Sequence, residues 1–245
     1  MKRIAAIAAA LAVMGIVVMG LLTAGCGSGS VPSDAVATVG DTSITQARFQ
    51  ELMTQAKAQV QSQGTPFPTK GSAMYDHYVA AIVDYLVRSE VVARSASTFG
   101  VSVSAKDVAD HVAQVEKQNG GKQKVLALLK EQGTTMALLE KSIKEQILIE
   151  RVAAKVVTNA AVSDADVQAY WKAHAAELRK EKKTATFAKA KAGILQALLS
   201  QAKDRLWTSW LTERLDELGV TYAAGYDPAK LTASPSASAS GSADN

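Results

Sequence analysis

AVATVGDTSIT, residues 35–45, is the stretch on which the fold of this chain turns. Short alternation around Gly40-Asp41 reads as strand, with a turn at that pair. Thr45 is then placed to cap a helix in which Phe49, Leu52, Met53, Ala56 and Val60 recur at the three-and-four spacing of one buried face. Only one other stretch reads as strand: GVTYAAGY, residues 219–226, with Val220 and Tyr222 two apart. One segment precedes the first helix of the patterned region and the other follows the last. Their pairing would clasp the two ends of the patterned region together.

Between them the pattern is helical. GTPFPTKGS, residues 64–72, breaks the first helix with two prolines and two glycines. Ser72 caps a strongly apolar helix bearing Tyr75, Tyr78, Val79, Ile82, Val83, Leu86 and Val87, a pattern that runs to Gly100. Ser104 with Asp107 three residues on is a start signal for a helix carrying Val108, Val112 and Val115, which Asn119-Gly120-Gly121 stops. A short helix with Val125, Leu128 and Leu129 closes at Gly133, and Thr134 or Thr135 opens a long one with Leu139, Ile143, Ile147 and Val152. Ser163 and Asp166 repeat the start signal ahead of Val167, Tyr170, Trp171 and His174. The last helix is expected over about 186–218, with Phe187, Ile194, Leu198, Leu206, Trp210 and Leu215 facing inward and Gly219 at its end.

Upstream, Lys2 and Arg3 precede an uncharged run, IAAIAAALAVMGIVVMGLLTA, residues 4–24, which is a secretory signal or a membrane span. The run ends at Thr23-Ala24-Gly25-Cys26, the only cysteine in the chain, followed by the linker GSGSVPSD. Without Lys2 and Arg3 the chain holds 25 basic and 23 acidic residues, nearly neutral, so the sequence pI of about 9.0 does not point to nucleic acid. A lone cysteine leaves no intrachain disulfide, so the core must supply stability, and residues 36–228 are long enough to do so as one domain. TASPSASASGSADN at the end is low-complexity Ala/Ser/Pro, expected to be a disordered tail over 229–245.

Catalytic signatures are few. His77, His111 and His174 are far apart in sequence without metal-ligand spacing. No phosphate-binding glycine loop and no G-x-S-x-G occurs. Glu90, Asp107 and Glu150 are helical carboxylates with no partner suggested across a cleft. Trp207 and Trp210, three apart, read as core before they read as a ligand ledge. No cofactor, nucleotide or metal is expected.

The ordered set of these elements resembles the SurA and PrsA family of extracytoplasmic chaperones and foldases. Residues 36–45 match a "VA.VNG..IT" opening, with Gly40-Asp41 in place of Asn-Gly. LVRSEVVARSASTFGVSVSAKDV (86–108), the helical pair over 121–152, VSDADVQAYWKAHAAEL (162–178) and the pattern from Ile194 to Pro228 match the motifs that follow. The resemblance implies a mainly α fold, a multi-helix SurA N-terminal-like domain closed by a long C-terminal helix, with a short strand pair joining its ends. It divides residues 36–228 into an N-terminal part, 36–178, and a C-terminal helix and strand, 185–228. In PrsA-like members a parvulin prolyl isomerase domain is inserted after the "YY..N" helix. Here only RKEKKTAT separates Leu178 from Phe187, too short for such a domain.

TAGC resembles a bacterial lipobox, which implies a signal peptide over 1–25, acylation of Cys26 (a diacylglyceryl group, with palmitate-type chains) and a linker over 26–35. Two acyl chains, at about 0.8 kcal/mol per buried CH2, suffice for stable anchoring. The alternative is an uncleaved membrane helix with an incidental thiol. The function implied is a lipid-anchored, ATP-independent holdase on the outer face of the cytoplasmic membrane, whose partners are unfolded or nascent exported polypeptides, not nucleic acid or nucleotide. Met53, Phe67, Met74, Tyr75 and Tyr78, around the proline-broken loop, are the candidate client-binding residues, although each on its own also reads as ordinary core. A peptidyl-prolyl isomerase and a lipoprotein dedicated to assembling one partner are the competing functions.

Overall fold

The computed structural model describes residues 31–181 and 184–233. The apolar run expected to be a signal, Cys26, most of the expected linker, Lys182, Lys183 and the residues from 234 lie outside the described residues. The chain is mainly helical, and its elements divide between two compact units, one formed by residues up to Ile149 together with Leu215 onward, the other by Glu150–Arg214. The division expected between 178 and 185 falls inside the second of these.

In the first unit β1 (Ala35–Val39) is the middle strand of a three-stranded antiparallel sheet, between β2 (Thr42–Thr45) and β3 (Val220–Tyr222). Val39 faces Thr42 on one side and Val220 on the other, so the predicted pairing of the two ends is present. The turn is Gly40-Asp41, with Gly40 at φ +57. Glycine is favoured there because positive φ at the first central position suits a two-residue hairpin. Gly40 N–H also donates to the Gly219 carbonyl at 2.9 Å, so the turn and the C-terminal segment are tied by backbone as well as by ladder bonds. Val36, Ala37 and Val39 are fully buried, as the middle strand's lack of polar alternation requires.

Thr45 caps α1 (Gln46–Ser62) by accepting from Arg48 N–H, and Ser72 caps α2 (Ala73–Ser95) by accepting from Tyr75 N–H. On α2, Val79, Val83, Val87 and Val91 form one row at i+4 with Ile82, Leu86 and Val92 beside it, all buried. Each such side chain contributes on the order of 1.5–3 kcal/mol by leaving water. A 3-10 turn (Ser97–Phe99) and left-handed Gly100 end the segment. The capping box of α3 (Ala105–Gln118) is complete, with Ser104 Oγ accepting from Asp107 N–H and Asp107 Oδ2 accepting from Ser104 N–H. α4 (Lys122–Glu131) and α5 (Met136–Val156) follow. Val125 and Leu129 of α4 and Leu139, Ile143 and Ile147 of α5 form one buried cluster, against which Val103, Val108, Val112 and Val115 pack from the side. The disordered tail expected from 229 is corrected at its start: Pro228–Thr232 form a short helix, α8, that lies on α2, with Pro228 starting it beneath the Asp227 cap.

The second unit holds the end of α5, a 3-10 turn (Val157–Asn159), α6 (Asp164–Glu181) and most of α7 (Phe187–Leu218). Ser163 and Asp166 cap α6 reciprocally, as their spacing predicts. Val152, Val167, Ile194 and Leu211 are its buried residues. The inner face expected for α7 is corrected at one position: Leu206 is 37% exposed, while Ile194 is buried, Phe187, Leu198, Trp210 and Leu215 are partly buried, and Leu211 joins the buried residues. Trp210 stacks on Trp207 at 5.0 Å between ring centroids and 25° between planes. A helix of 32 residues that begins in one unit and ends in the other meets different surroundings along its length, so no single stripe persists.

Candidate functional site

Two surfaces of the first unit present apolar groups to solvent. The first is the loop between α1 and α2. Phe67, flanked by Pro66 and Pro68, places its ring 4.8 Å from Tyr78 and 6.3 Å from Tyr75, the latter nearly edge-on at 80°. The Ser72 cap sets the start of α2, and so puts Tyr75 and Tyr78, one turn apart, on the side facing the loop. All three rings are half-buried. Of the two methionines expected here, Met74 is 58% exposed, whereas Met53 is 7% exposed and belongs to the inner face of α1.

The second surface was not anticipated. α3 has no buried residue, although Val108, Val112 and Val115 line one side of it. Between α3 and the first turns of α5 runs an open groove of about 560 Å³. Val103, Val108 and Val112 and the alanines 105, 109, 113 and 137 line it, and Glu116, Glu140, Lys141 and Lys144 add charge to it. Alanine at i, i+4 and i+8 keeps the wall low, so the valines beside it stay reachable. A half-covered apolar lining with charges of both signs can hold an extended or helical segment weakly without reading its sequence. The hint available from sequence was the alanine spacing on a helix that also carries three valines. Alanine is so common in helices that the spacing alone carries little weight.

Long-range ion pairs hold the surrounding helices in place. Arg48 of α1 donates to both carboxylate oxygens of Glu145 on α5, at 2.8 and 3.0 Å, and to Glu51 at 2.5 Å. Tyr85 of α2 donates to Glu145 at 3.2 Å, and burial together with the Glu145 charge raises its phenol above the usual range. Lys141, at the groove, approaches Glu51 at 3.6 Å. Glu51 loses solvation by burial, yet Arg48 and Lys141 outweigh that and leave its carboxyl below the ordinary range. At the hairpin, Arg94 of α2 donates to Asp41, Thr42 and the Val39 carbonyl. None of these arginine roles was legible in sequence.

Among the described residues no three of His, Cys, Asp and Glu come together as a metal cluster. His111 Nδ1 lies 3.0 Å from the Asp107 carbonyl and His174 Nδ1 lies 3.5 Å from Glu177, each within its own helix. No described helix is long and apolar enough to cross a membrane.

Among curated proteins, the chain is similar to the foldase protein PrsA of Caldanaerobacter subterraneus subsp. tengcongensis. The two are 27% identical over 153 residues, covering 59% of this chain and 44% of that protein. The alignment thus spans less than half of the relative's length. A family model described as the SurA-like N-terminal domain matches residues 1–153, a span that contains the aromatic cluster, the groove and the Arg48–Glu145 pair. By that match, the chain belongs to the SurA-like N-terminal domain family.

Proposed function

We propose that this protein is an ATP-independent holdase for unfolded exported polypeptides, anchored outside the cytoplasmic membrane by acylation of Cys26. The observation that carries the reading is the half-covered α3–α5 groove, with apolar lining and mixed charge, in a chain of this family. Dispersed apolar groups of this kind bind many segments weakly, which is what a holdase requires. The Phe67, Tyr75, Tyr78 and Met74 patch supplies a second weak contact surface. Prolyl isomerase activity is not part of the proposal. α6 ends at Glu181 and α7 begins at Phe187, leaving five residues where a parvulin sheet would have to be built.

The test is suppression of aggregation of several unrelated unfolded proteins without nucleotide, run beside a protease-coupled prolyl isomerisation assay. The expected outcome is delayed aggregation of all clients and no isomerase rate above background. Protection of one protein alone would support a dedicated assembly factor instead, and a robust isomerase rate that survived purification would support a foldase enzyme. For the anchor, Cys26→Ser is expected to abolish lipid mass and leave an unprocessed or released chain. Normal processing and membrane retention of that variant, with no lipid on the wild type, would overturn acylation.

A further inference from the structure

Four charged side chains line the α3–α5 groove, and they are not equally committed. Lys141 faces Glu51 at 3.6 Å, so its ammonium already has a carboxylate. Among the described residues Glu116, Glu140 and Lys144 form no ion pair. Glu140 precedes Lys144 by four residues on α5, the order in which helical pairs form best, yet the two stay apart. Along α3, Asp107 is taken by the Ser104 cap and Asp110 by Lys106 at 2.7 Å. What remains uncommitted in the groove is two carboxylates, one on each wall, against a single ammonium. Glu116 is also ill placed for its own helix. It sits in the last turn of α3, where the backbone carbonyls carry partial negative charge and a cation is favoured. Lys117, the base of that turn, does not line the groove.

We propose that the groove selects, among unfolded polypeptides, apolar segments that carry lysine or arginine, and disfavours those rich in aspartate and glutamate. The inference rests on the holdase reading and names the class of client segment that the groove takes. Contact with Val103, Val108 and Val112 over the low alanine wall supplies the binding common to all clients. Glu116 and Glu140 then rank them. Glu140 is exposed and Glu116 half-buried, so each meets a cation without first being stripped of water. Such solvated pairs are individually weak, which makes charge a modest bias laid over apolar contact rather than a lock on one sequence.

The experiment measures fluorescence anisotropy of short peptides binding to the full chain in phosphatidylcholine nanodiscs, a carrier without net charge, with empty discs as baseline. The peptides share their apolar residues and a neutral fluorophore, and carry lysine, glutamine or glutamate at the same polar positions. The lysine peptide is expected to bind about five- to tenfold tighter than the glutamate one, the scale of two solvent-exposed ion pairs, with glutamine between. High salt should bring the three together. The double variant Glu116→Gln, Glu140→Gln should erase the ratio and Lys144→Gln should widen it. Glu131→Gln, exposed on α4 and outside the lining, should keep it. Equal affinities in the wild type, no binding by any peptide, or a ratio that survives the double variant with an unchanged melting curve would overturn the proposal. Tightest binding of the glutamate peptide would assign the groove to acidic segments instead, and affinity that falls as the chain is concentrated would assign it to a second copy. Suppression of client aggregation, measured on the same preparation, separates the two readings. Protection without the peptide preference sinks this inference alone, and the preference without protection sinks the holdase alone.

Discussion

The side-chain amide of Gln46, the first residue of α1, donates to the Tyr226 hydroxyl at 2.8 Å across 180 residues of sequence. One turn on, the Phe49 ring meets Tyr226 edge-on, at 5.1 Å and 81°. The segment after β3 is thereby fastened to the first helix as well as to β1, so both ends of the sheet region share one core. Phe49 is 2% exposed. Phe49→Ala is expected to cost about 3–5 kcal/mol, the range for emptying a core aromatic site. Tyr226→Phe keeps the ring and removes one hydrogen bond, for about 0.5–1.5 kcal/mol. Urea unfolding followed by circular dichroism reads both. An unchanged midpoint for Phe49→Ala would mean that this junction contributes nothing to the fold.

Arg48 and Glu145 make a sharper test of long-range assembly. The Arg48 side chain is 12% exposed and Glu145 27%, so neither charge is fully hydrated when its partner is lost. Arg48→Ala or Glu145→Ala should each destabilise by about 1–3 kcal/mol, the cost of leaving a charged hydrogen-bonding group unsatisfied. The double variant should cost less than the sum of the two, because each single change strands the other group. Strict additivity in that cycle would show that the two side chains do not act on each other.

Two groups set opposite limbs of the stability–pH profile. Tyr222 is pushed up to about 12, first by burial and then by the charges of Asp84 and Asp227. An unfolded tyrosine ionises near pH 10, so the folded chain holds the proton more tightly. That contribution is complete below about pH 10 and is lost as pH rises toward about 12. Asp41 is shifted the other way, chiefly by its hydrogen bond from Arg94, to below the ordinary carboxylate range. Its contribution is present above about pH 4 and fades as pH falls through the lowered value. Tyr222→Phe should flatten the alkaline limb and Asp41→Asn the acid limb, each without touching the other. Melting temperature measured across pH decides it, and a variant that moved the wrong limb would refute the assignment.

Local chemistry accounts for what was legible in the sequence. Thr45, Ser72, Ser104 and Ser163 announce helix starts because a cap is satisfied within three residues, and all four accept from the backbone as their positions predict. The pairing of the two ends was legible because two short extended stretches flank an otherwise helical chain, leaving each the other as partner; the split of the first into β1 and β2, which makes the sheet three-stranded, was not. Arg48 and Arg94 gave no such sign, since their partners are helices or turns away and an ion pair has no local spacing. Leu206 misled because periodicity assumes one neighbour along a helix, and α7 has several. The groove was hidden for a related reason: whether Ala109 is covered depends on where α5 lies, which no property of α3 specifies.

That same dependence gives the most direct test of where clients bind. Ala109 and Ala113 are exposed on the groove side of α3, in helix interior, where glutamate is well tolerated. Ala109→Glu or Ala113→Glu should therefore leave stability within about 0.5 kcal/mol of wild type. A bound apolar segment would have to desolvate the new carboxylate, at a cost of at least about 1–3 kcal/mol. Suppression of client aggregation should weaken about tenfold, the ratio that 1.4 kcal/mol gives. Met74→Glu, at the other apolar surface, provides the comparison, since it is also exposed and sits in the first turn of α2, where an acid is favourable. Loss of activity in the α3 variants with little change in Met74→Glu would place the main client contact in the groove. The opposite ranking would move it to the Phe67, Tyr75 and Tyr78 cluster, and equal losses would make both surfaces parts of one client path. Full activity in all three variants, with folding intact, would exclude both surfaces and with them the physical basis for a holdase in this unit.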